Sequence, residues 1–211
     1  VSTTLGDLDW PFRTDRLVLR RARSEDADAI WDWYQRPDVH EWTSGRPHSL
    51  EYHRQRWEEG LPWRIVGERS PHGGAGAGTC GEIAATGLIT TLDPWGQEAV
   101  RSRTRHTMAE LGWVMHPDHS GQGLGTEFAR ELLCIAIAEM GLRRVTALCF
   151  AENRASWRIM EKIGMRCEGT HRADSLHVTR GWVDSMTWAV LAEEWHAQQA
   201  GPDTPRQDPT Q

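Results

Sequence analysis

The run His116-Pro117-Asp118-His119-Ser120-Gly121-Gln122-Gly123-Leu124-Gly125-Thr126 sets three glycines at alternate positions between an apolar stretch and an amphipathic one. Glycines at 121, 123 and 125 let successive backbone N–H groups converge without Cβ interference, and the start of a helix adds partial positive charge at the same point. The chemistry this suits is a cradle for a pyrophosphate, built from Gly121, Gln122, Gly123, Leu124, Gly125 and Thr126. Two familiar nucleotide loops are excluded by what stands in the run. It lacks the Lys of a Walker loop, and Thr126 occupies the place of the third glycine of a dinucleotide fingerprint.

A second candidate lies just upstream. Thr107 to Met115 (TMAELGWVM) is nearly continuously apolar except for Glu110, as expected of a strand buried on both faces. A carboxylate there is partly desolvated, which moves its pKa up toward the range of a general base. The same residue can equally serve as the partner of an arginine such as Arg103 or Arg105. Downstream, Asn153 and Ser156 stand where the next helix begins, and an asparagine at that place is also what a helix cap requires.

The elements that must hold these groups follow from periodicity. Arg16 to Ala22 reads as a strand, and Ser24 as the cap of a helix carrying Ala27, Ile30, Trp31 and Tyr34 at helical spacing. A second helix runs from about Leu50 to Glu59. Trp63 to Glu68 and Gly81 to Thr91 are strands separated by the Gly-rich stretch Pro71 to Gly78, followed by the strand around Glu110. Gln122 to Met140 is a long helix ended by Gly141, Val145 to Phe150 a buried strand, and Asn153 to Ile163 a helix stopped by Gly164. Met165 to Thr170 and Val183 to Leu191 close the order β-αα-βββ-α-β-α-ββ, an α/β (α+β) domain over 14–196. Residues 1–13 and 197–211 are set apart as tails, the second polar, Pro-rich and too poor in apolar residues to offset the entropy of ordering.

Composition narrows the function classes. With 30 acids against 24 bases the net charge is −6, which speaks against coating nucleic acid directly. Cys80, Cys134, Cys149 and Cys167 form no CxxC pair and no Cys/His cluster at metal-ligand spacing, so no metal is expected and the cysteines read as small core residues. Neither a signal-peptide pattern nor an apolar run of about 18 residues occurs, and the expectation is a cytoplasmic protein without a membrane partner. His116 and His119 carry no assigned role, and Asp184 reads as a satisfied turn or sheet acid.

Four blocks carry a resemblance that the glycine run alone does not. "TDRLVLRRARSEDADAIWDW" (14–33), "ELGWVMHPDHSGQGLGTEFARELL" (110–133), "ENRASWRIMEKIGMRCEGTHR" (152–172) and "RGWVDSMTWAVL" (180–191) resemble the GNAT superfamily of N-acetyltransferases, in its ribosomal-protein-alanine, RimJ/RimL-type branch. Two positions depart from the superfamily: Ser120 stands first in the usual Arg/Gln-x-x-Gly-x-Gly/Ala motif, and Met160 replaces the general-acid tyrosine of some branches.

The resemblance implies a GNAT fold, a mixed and mostly antiparallel sheet of about seven strands flanked by about four helices, with acetyl-CoA as co-substrate. It implies that the backbone of Trp113, Val114 and Met115 pairs with the pantetheine arm, that residues 121–126 hold the pyrophosphate, and that Asn153 contacts the cofactor near its thiol. Within that chemistry Glu110 would draw a proton from the amine, directly or through one water. A backbone N–H of Val114 or Met115, freed by a bulge, would polarise the thioester carbonyl, and Ser156 would return a proton to sulfur. The acceptor is a primary amine, either a protein N-terminus or a small molecule such as an aminoacyl-nucleotide.

The chain holds 12 tryptophans. Trp33, Trp42, Trp57 and Trp63 cluster in sequence where this fold usually keeps its acceptor cleft, and Trp33, Trp42 and Trp63 are candidate stacking residues for a flat substrate group. That would suit detoxification of an aminoacyl-nucleotide antibiotic. Packing of a core or a homodimer face is the competing reading. A non-catalytic acyl-CoA sensor or scaffold is the alternative from a different class.

Overall fold

The structure is a computed structural model that describes residues 3–70 and 81–200. Within them one sheet takes eight strands in the order β1-β2-β3-β4-β5-β6-β8-β7. The strands are β1 (Phe12–Arg13), β2 (Leu17–Arg21), β3 (Arg64–Arg69), β4 (Ile83–Leu92), β5 (Met108–Met115), β6 (Arg144–Phe150), β7 (Arg166–His177) and β8 (Gly181–Leu191). Every neighbouring pair is antiparallel except β5 with β6. The helices are α1 (Asp26–Tyr34), α2 (Leu50–Gly60), α3 (Leu124–Cys134), α4 (Arg154–Lys162) and α5 (Ala192–Gln199).

The mixed α/β architecture is the expected one, with two additions. The eighth strand is the two-residue β1, paired to β2 through Phe12↔Leu19. Residues 3–13 are therefore not a loose tail: Leu5 is buried in the core and its carbonyl accepts the Trp10 indole N–H at 2.8 Å. The fifth helix, α5, runs past residue 196 because Trp195 packs into the core and Glu194 Oε2 accepts the Leu191 N–H at 2.8 Å. The Gly-rich stretch 71–80 with Cys80, and the tail beyond residue 200, lie outside the described residues.

The two sheet faces are covered differently. Phe128 and Leu132 of α3, both fully buried, press on the face that carries Gly67 and Gly87; a Cβ at either glycine would come within 2.7–2.9 Å of those side chains. The opposite face packs Val66 and Val114 against Ala27, Ile30, Trp33 and Trp57 of α1 and α2. Local chemistry fixes these two helices. Ser49 caps α2 by accepting the Tyr52 N–H, while Asp26, rather than Ser24, closes the start of α1 by accepting the Arg23 N–H at 2.7 Å. Arg20 grips Asp26 with two nitrogens at 2.7 and 2.8 Å and reaches Glu68 of β3, which ties α1 to the sheet.

Sheet pairing creates the site. β5 and β6 pair only over Met108↔Arg144 to Glu110↔Thr146, after which β5 continues to Met115 and β6 to Phe150 on their other partners. Past Glu110 the two parallel strands diverge, and the side of Leu111–Met115 turned from β4 meets no strand.

Candidate active site

A cavity of about 550 Å³ fills that divergence. Glu110, Gly112, Trp113 and Val114 of β5 form its floor, Cys149 and Phe150 of β6 and Asn153, Ser156 and Met160 of α4 one wall, and Tyr34, Trp42, His53, Trp57 and Arg64 the other. Glu110 is half-buried, makes no ion pair or side-chain hydrogen bond among the described residues, and desolvation alone pushes its carboxyl above the usual carboxylate range. Arg103 and Arg105, the partners that a structural role required, are exposed and do not reach it. The β4–β5 register runs unbroken from Ala85↔Met115 to Leu92↔Met108, so β5 carries no bulge. Its free edge comes instead from the departure of β6.

On α4, Asn153 is the cap: its Oδ1 accepts the Ser156 N–H at 3.1 Å. The Asn153 amide nitrogen and the Ser156 hydroxyl make no other bond among the described residues, and both residues line the cavity. The glycine run sits at the open end of β5. Gly121 and Gly123 hold φ of +76° and +80°, where a side chain is strained, and a Cβ on Gly121 would meet nothing within 4 Å. No side chain caps α3, whose first turn begins at Leu124, so its leading N–H groups point out of the helix unclaimed by a cap.

No local pattern of residues signals the brace behind this loop. Arg16 donates to the Gln122 carbonyl at 2.8 Å and pairs with Glu127 at 2.6 Å, and Glu127 also accepts the Thr14 hydroxyl at 2.6 Å. Partners 106 and 111 residues apart in sequence leave no local pattern to read.

The tryptophans separate. Only Trp42 of the three candidates lines the cavity; Trp33 is buried in the packing of α1 and touches His116, while Trp63 lies 42% exposed outside the site. Trp33 lies on the inward side of α1 and Trp63 on a 3₁₀ turn that faces out, a distinction their number and spacing do not encode. Trp57, fully buried, lines the cavity and donates its indole N–H to the Arg23 carbonyl at 2.8 Å. Trp42 is held by Arg180, whose guanidinium lies 4.7 Å from its ring and bridges Glu41 and Glu152, and by His177, which bonds the Glu41 carbonyl.

Other expectations resolve simply. His116 and His119 are buried around Glu82 rather than facing solvent, with His119 Nε2 3.2 Å from Glu82. Asp184 accepts the Ala173 N–H at 2.8 Å and is structural. Cys167 is exposed rather than core, and burial pushes the Cys149 thiol up to about 11, which keeps it protonated and a poor nucleophile at neutral pH. Among the described residues no group of three His, Cys, Asp or Glu is arranged to hold a metal ion, and no helix is long and apolar enough to cross a membrane.

The family profile described as "Acetyltransferase (GNAT) domain" matches residues 16–166, which span the glycine run, β5 and α4. The chain belongs to the GNAT acetyltransferase family. YnaD of Bacillus subtilis, an uncharacterized N-acetyltransferase, is 39% identical over 87 residues, 41% of this chain and 51% of that protein. YoaA of the same organism, also an uncharacterized N-acetyltransferase, is 26% identical over 174 residues, 76% of this chain and 85% of that protein. The chain thus spans about half the length of the first relative and most of the second.

Among solved structures, a GNAT acetyltransferase from Bacillus anthracis superposes with a TM-score of 0.71 at 24% identity, covering 87% of this chain and 99% of that one. The ribosomal-protein-S5-alanine acetyltransferase of Vibrio fischeri superposes at 0.67 with 17% identity, over 89% and 99% of the two chains. At such identities the likeness is one of fold. GNAT acetyltransferases transfer an acyl group from acetyl-CoA to an amine. The positive-φ glycines, the open space at Gly121, the uncapped start of α3 and the unpaired edge of β5 fit a pyrophosphate with an extended arm.

Proposed function

We propose that this chain is a RimJ/RimL-type N-acetyltransferase that moves the acetyl group of acetyl-CoA directly onto a primary amine, with both substrates held in one cleft. Gly121, Gln122, Gly123, Leu124, Gly125 and Thr126 hold the pyrophosphate through backbone N–H groups and the α3 dipole. The backbone of Trp113, Val114 and Met115 pairs with the pantetheine arm. Asn153, its Oδ1 committed to the cap, has its amide nitrogen left to contact the arm near the thiol.

An amine attacks only after it loses its proton, and Glu110 takes that proton through one water. The backbone N–H of Met115 stabilises the oxygen of the tetrahedral intermediate: the ladder that gives the His116 N–H to Ala84 also turns the Val114 N–H toward β4 and leaves that of Met115 on the open edge. Collapse of that intermediate forms the amide and breaks the C–S bond; Ser156 gives its hydroxyl proton to the departing sulfur and takes back the second proton that the nitrogen loses, so that CoA leaves as the free thiol and the serine is regenerated. Juxtaposing the two substrates supplies much of the remaining acceleration.

The observation that carries this reading is Glu110: an unpaired, desolvated carboxylate where β5 and β6 part. The acceptor is a protein N-terminal α-amine or a small-molecule amine, an aminoacyl-nucleotide among them. Of the three tryptophans proposed to stack on a flat group, Trp42 is the one that lines the cavity, which supports a detoxification or antibiotic-resistance role. The same reading has the protein working in the cytoplasm, as a homodimer. In the test, release of free thiol from acetyl-CoA is followed with peptides, amino acids, aminoglycosides and aminoacyl-sulfamoyl adenosines. Turnover that Glu110→Gln lowers supports the reading; acetyl-CoA binding with no turnover on any amine replaces it with a sensor.

A further inference from the structure

Two arginines of the cavity wall, Arg46 and Arg64, make no ion pair among the described residues; Arg46 is exposed to solvent, whereas no solvent answers the buried charge of Arg64. It opens β3, lies largely buried with its guanidinium 4.3 Å from the Trp57 ring, and its Nε is buried with no hydrogen-bond partner. It appears in no ion pair among the described residues. The groups that bear on it electrostatically are Tyr34 of α1 and Arg56 of α2. Burial raises the Tyr34 phenol, which is therefore neutral, and Arg56 is itself a cation already paired with Glu59. A guanidinium does not neutralise at physiological pH, so its charge is retained in the wall at a real cost in desolvation.

His53 adds a second unanswered group. It lies against the Trp31, Tyr34 and Trp57 rings, its Nε2 is buried without a partner, and burial lowers its pKa to about 4, so it is a neutral imidazole beside Arg64.

Register places these groups relative to Glu110. Arg64 stands opposite Leu88, Leu88 stands opposite Gly112, and Glu110 is the next residue on that face of β5. Two strand spacings and one same-face step separate Arg64 from Glu110 by roughly 12 Å between Cα atoms. Between them lies Gly112, where a Cβ would meet nothing within 4 Å. Desolvation is the only cause acting on Glu110, so Arg64 does not reach it. One end of the cleft carries an unpaired cation, the other an unpaired carboxylate, and the middle is open.

We infer that the acceptor is a small amino acid, a primary amine that also carries a carboxylate, bound so that Arg64 and His53 take the carboxylate and the amine faces Glu110. This rests on the amine-acetylation reading and names its substrate class. A planar guanidinium matches a carboxylate with two parallel hydrogen bonds, and Trp57 beneath it restricts its rotation.

The test compares glycine, 4-aminobutyrate, 6-aminohexanoate and glutamate with their amides as acceptors, by thiol release at saturating acetyl-CoA. Calorimetric titration of the same compounds into the protein runs alongside. The best acid is expected to exceed its amide by about 30-fold or more in kcat/KM. Arg64→Met should collapse that preference toward unity, and Arg64→Lys should restore part of it. Because Arg64→Met removes a buried charge, it should melt no lower than the parent, which separates loss of recognition from loss of fold. Equal use of acids and amides, or a preference that survives in Arg64→Met, overturns the inference while sparing amine acetylation. Acids that bind the parent but not Arg64→Met, with no amine turned over, support the carboxylate site and refute acetyl transfer. Neither binding nor turnover overturns both.

Discussion

Gly112 and Gly87 face opposite sides of adjacent strands, and substitutions at the two should have opposite signs. A Cβ on Gly112 meets nothing within 4 Å, and its φ lies outside the left-handed region. Gly112→Ala should therefore stabilise by about 0.4–1 kcal/mol through the unfolded chain, raising Tm by roughly 1–4 °C for a domain of this size. A Cβ on Gly87 would stand 2.7 Å from Leu132 Cδ1 and 2.8 Å from Phe128 Cε1, both on fully buried side chains that cannot step aside. Gly87→Ala should cost about 1–3 kcal/mol and lower Tm by several degrees. Function should invert the order. Gly112→Val, which fills the floor between Glu110 and Arg64, should cut amine turnover at least about 10-fold, since a misplacement of about 1 Å costs that much or more. Differential scanning fluorimetry and thiol release on the same preparations decide it. A Gly112→Ala protein that melts several degrees lower, or a Gly112→Val protein with full turnover, would refute the placement of the cleft.

Glu110→Gln should lower kcat about 10²–10⁴-fold with the fold intact by circular dichroism. Because burial raises the Glu110 carboxyl, its contribution to stability is present below its unfolded pKa and lost as pH rises through the folded one. Urea unfolding should therefore show the Gln variant gaining on the parent as pH rises from acid to neutral. His53 behaves oppositely: with its pKa lowered to about 4, its contribution is complete above about 6.5 and is lost as pH falls toward 4. His53→Phe should flatten that acid limb in the same assay. Asn153→Ala removes the α4 cap and should cost about 0.5–2 kcal/mol in thermal unfolding. Ser156→Ala keeps the capped N–H, so it should leave Tm unchanged while slowing thiol release; an unchanged rate would remove Ser156 from the mechanism.

What the sequence disclosed is what local chemistry encodes. Gly121 and Gly123 were legible as a cradle because only glycine adopts their φ cheaply, and Glu110 because a lone acid in TMAELGWVM has nowhere neutral to be. β1 escaped because two residues carry no periodicity, and its burial depends on Leu5 and Trp10 reaching back into the core. α5 escaped because Ala192–Gln199 is polar on nearly every side and buries Trp195 alone. β7 runs on to His177, well past the expected end at Thr170, and β8 starts at Gly181 rather than Val183, along an exposed hairpin with no apolar alternation to mark it. The long third helix is shorter than expected because Ile135–Glu139 widen into a π turn before Gly141.

At the site, the limits are those of distance along the chain. Glu110 and Ser156, like Trp113 and Asn153, stand some 40 or more residues apart in sequence, and the fold brings all four to one cavity. Arg64, His53, Arg16 and Arg180 were missed because each acts through a partner far off in sequence or through having none. A tryptophan's number says nothing of its direction, which is why Trp42 faces the cavity while Trp33 and Trp63 do not.

The most direct test of the central claim is the release of free thiol from acetyl-CoA by the intact chain and by Glu110→Gln, with the amine panel as acceptors. Amine-dependent release by the parent, with the variant binding acetyl-CoA equally but turning over at least about 100-fold more slowly, is the expected result. Equal release by the two proteins, or acetyl-CoA binding without amine-dependent release by either, would contradict it.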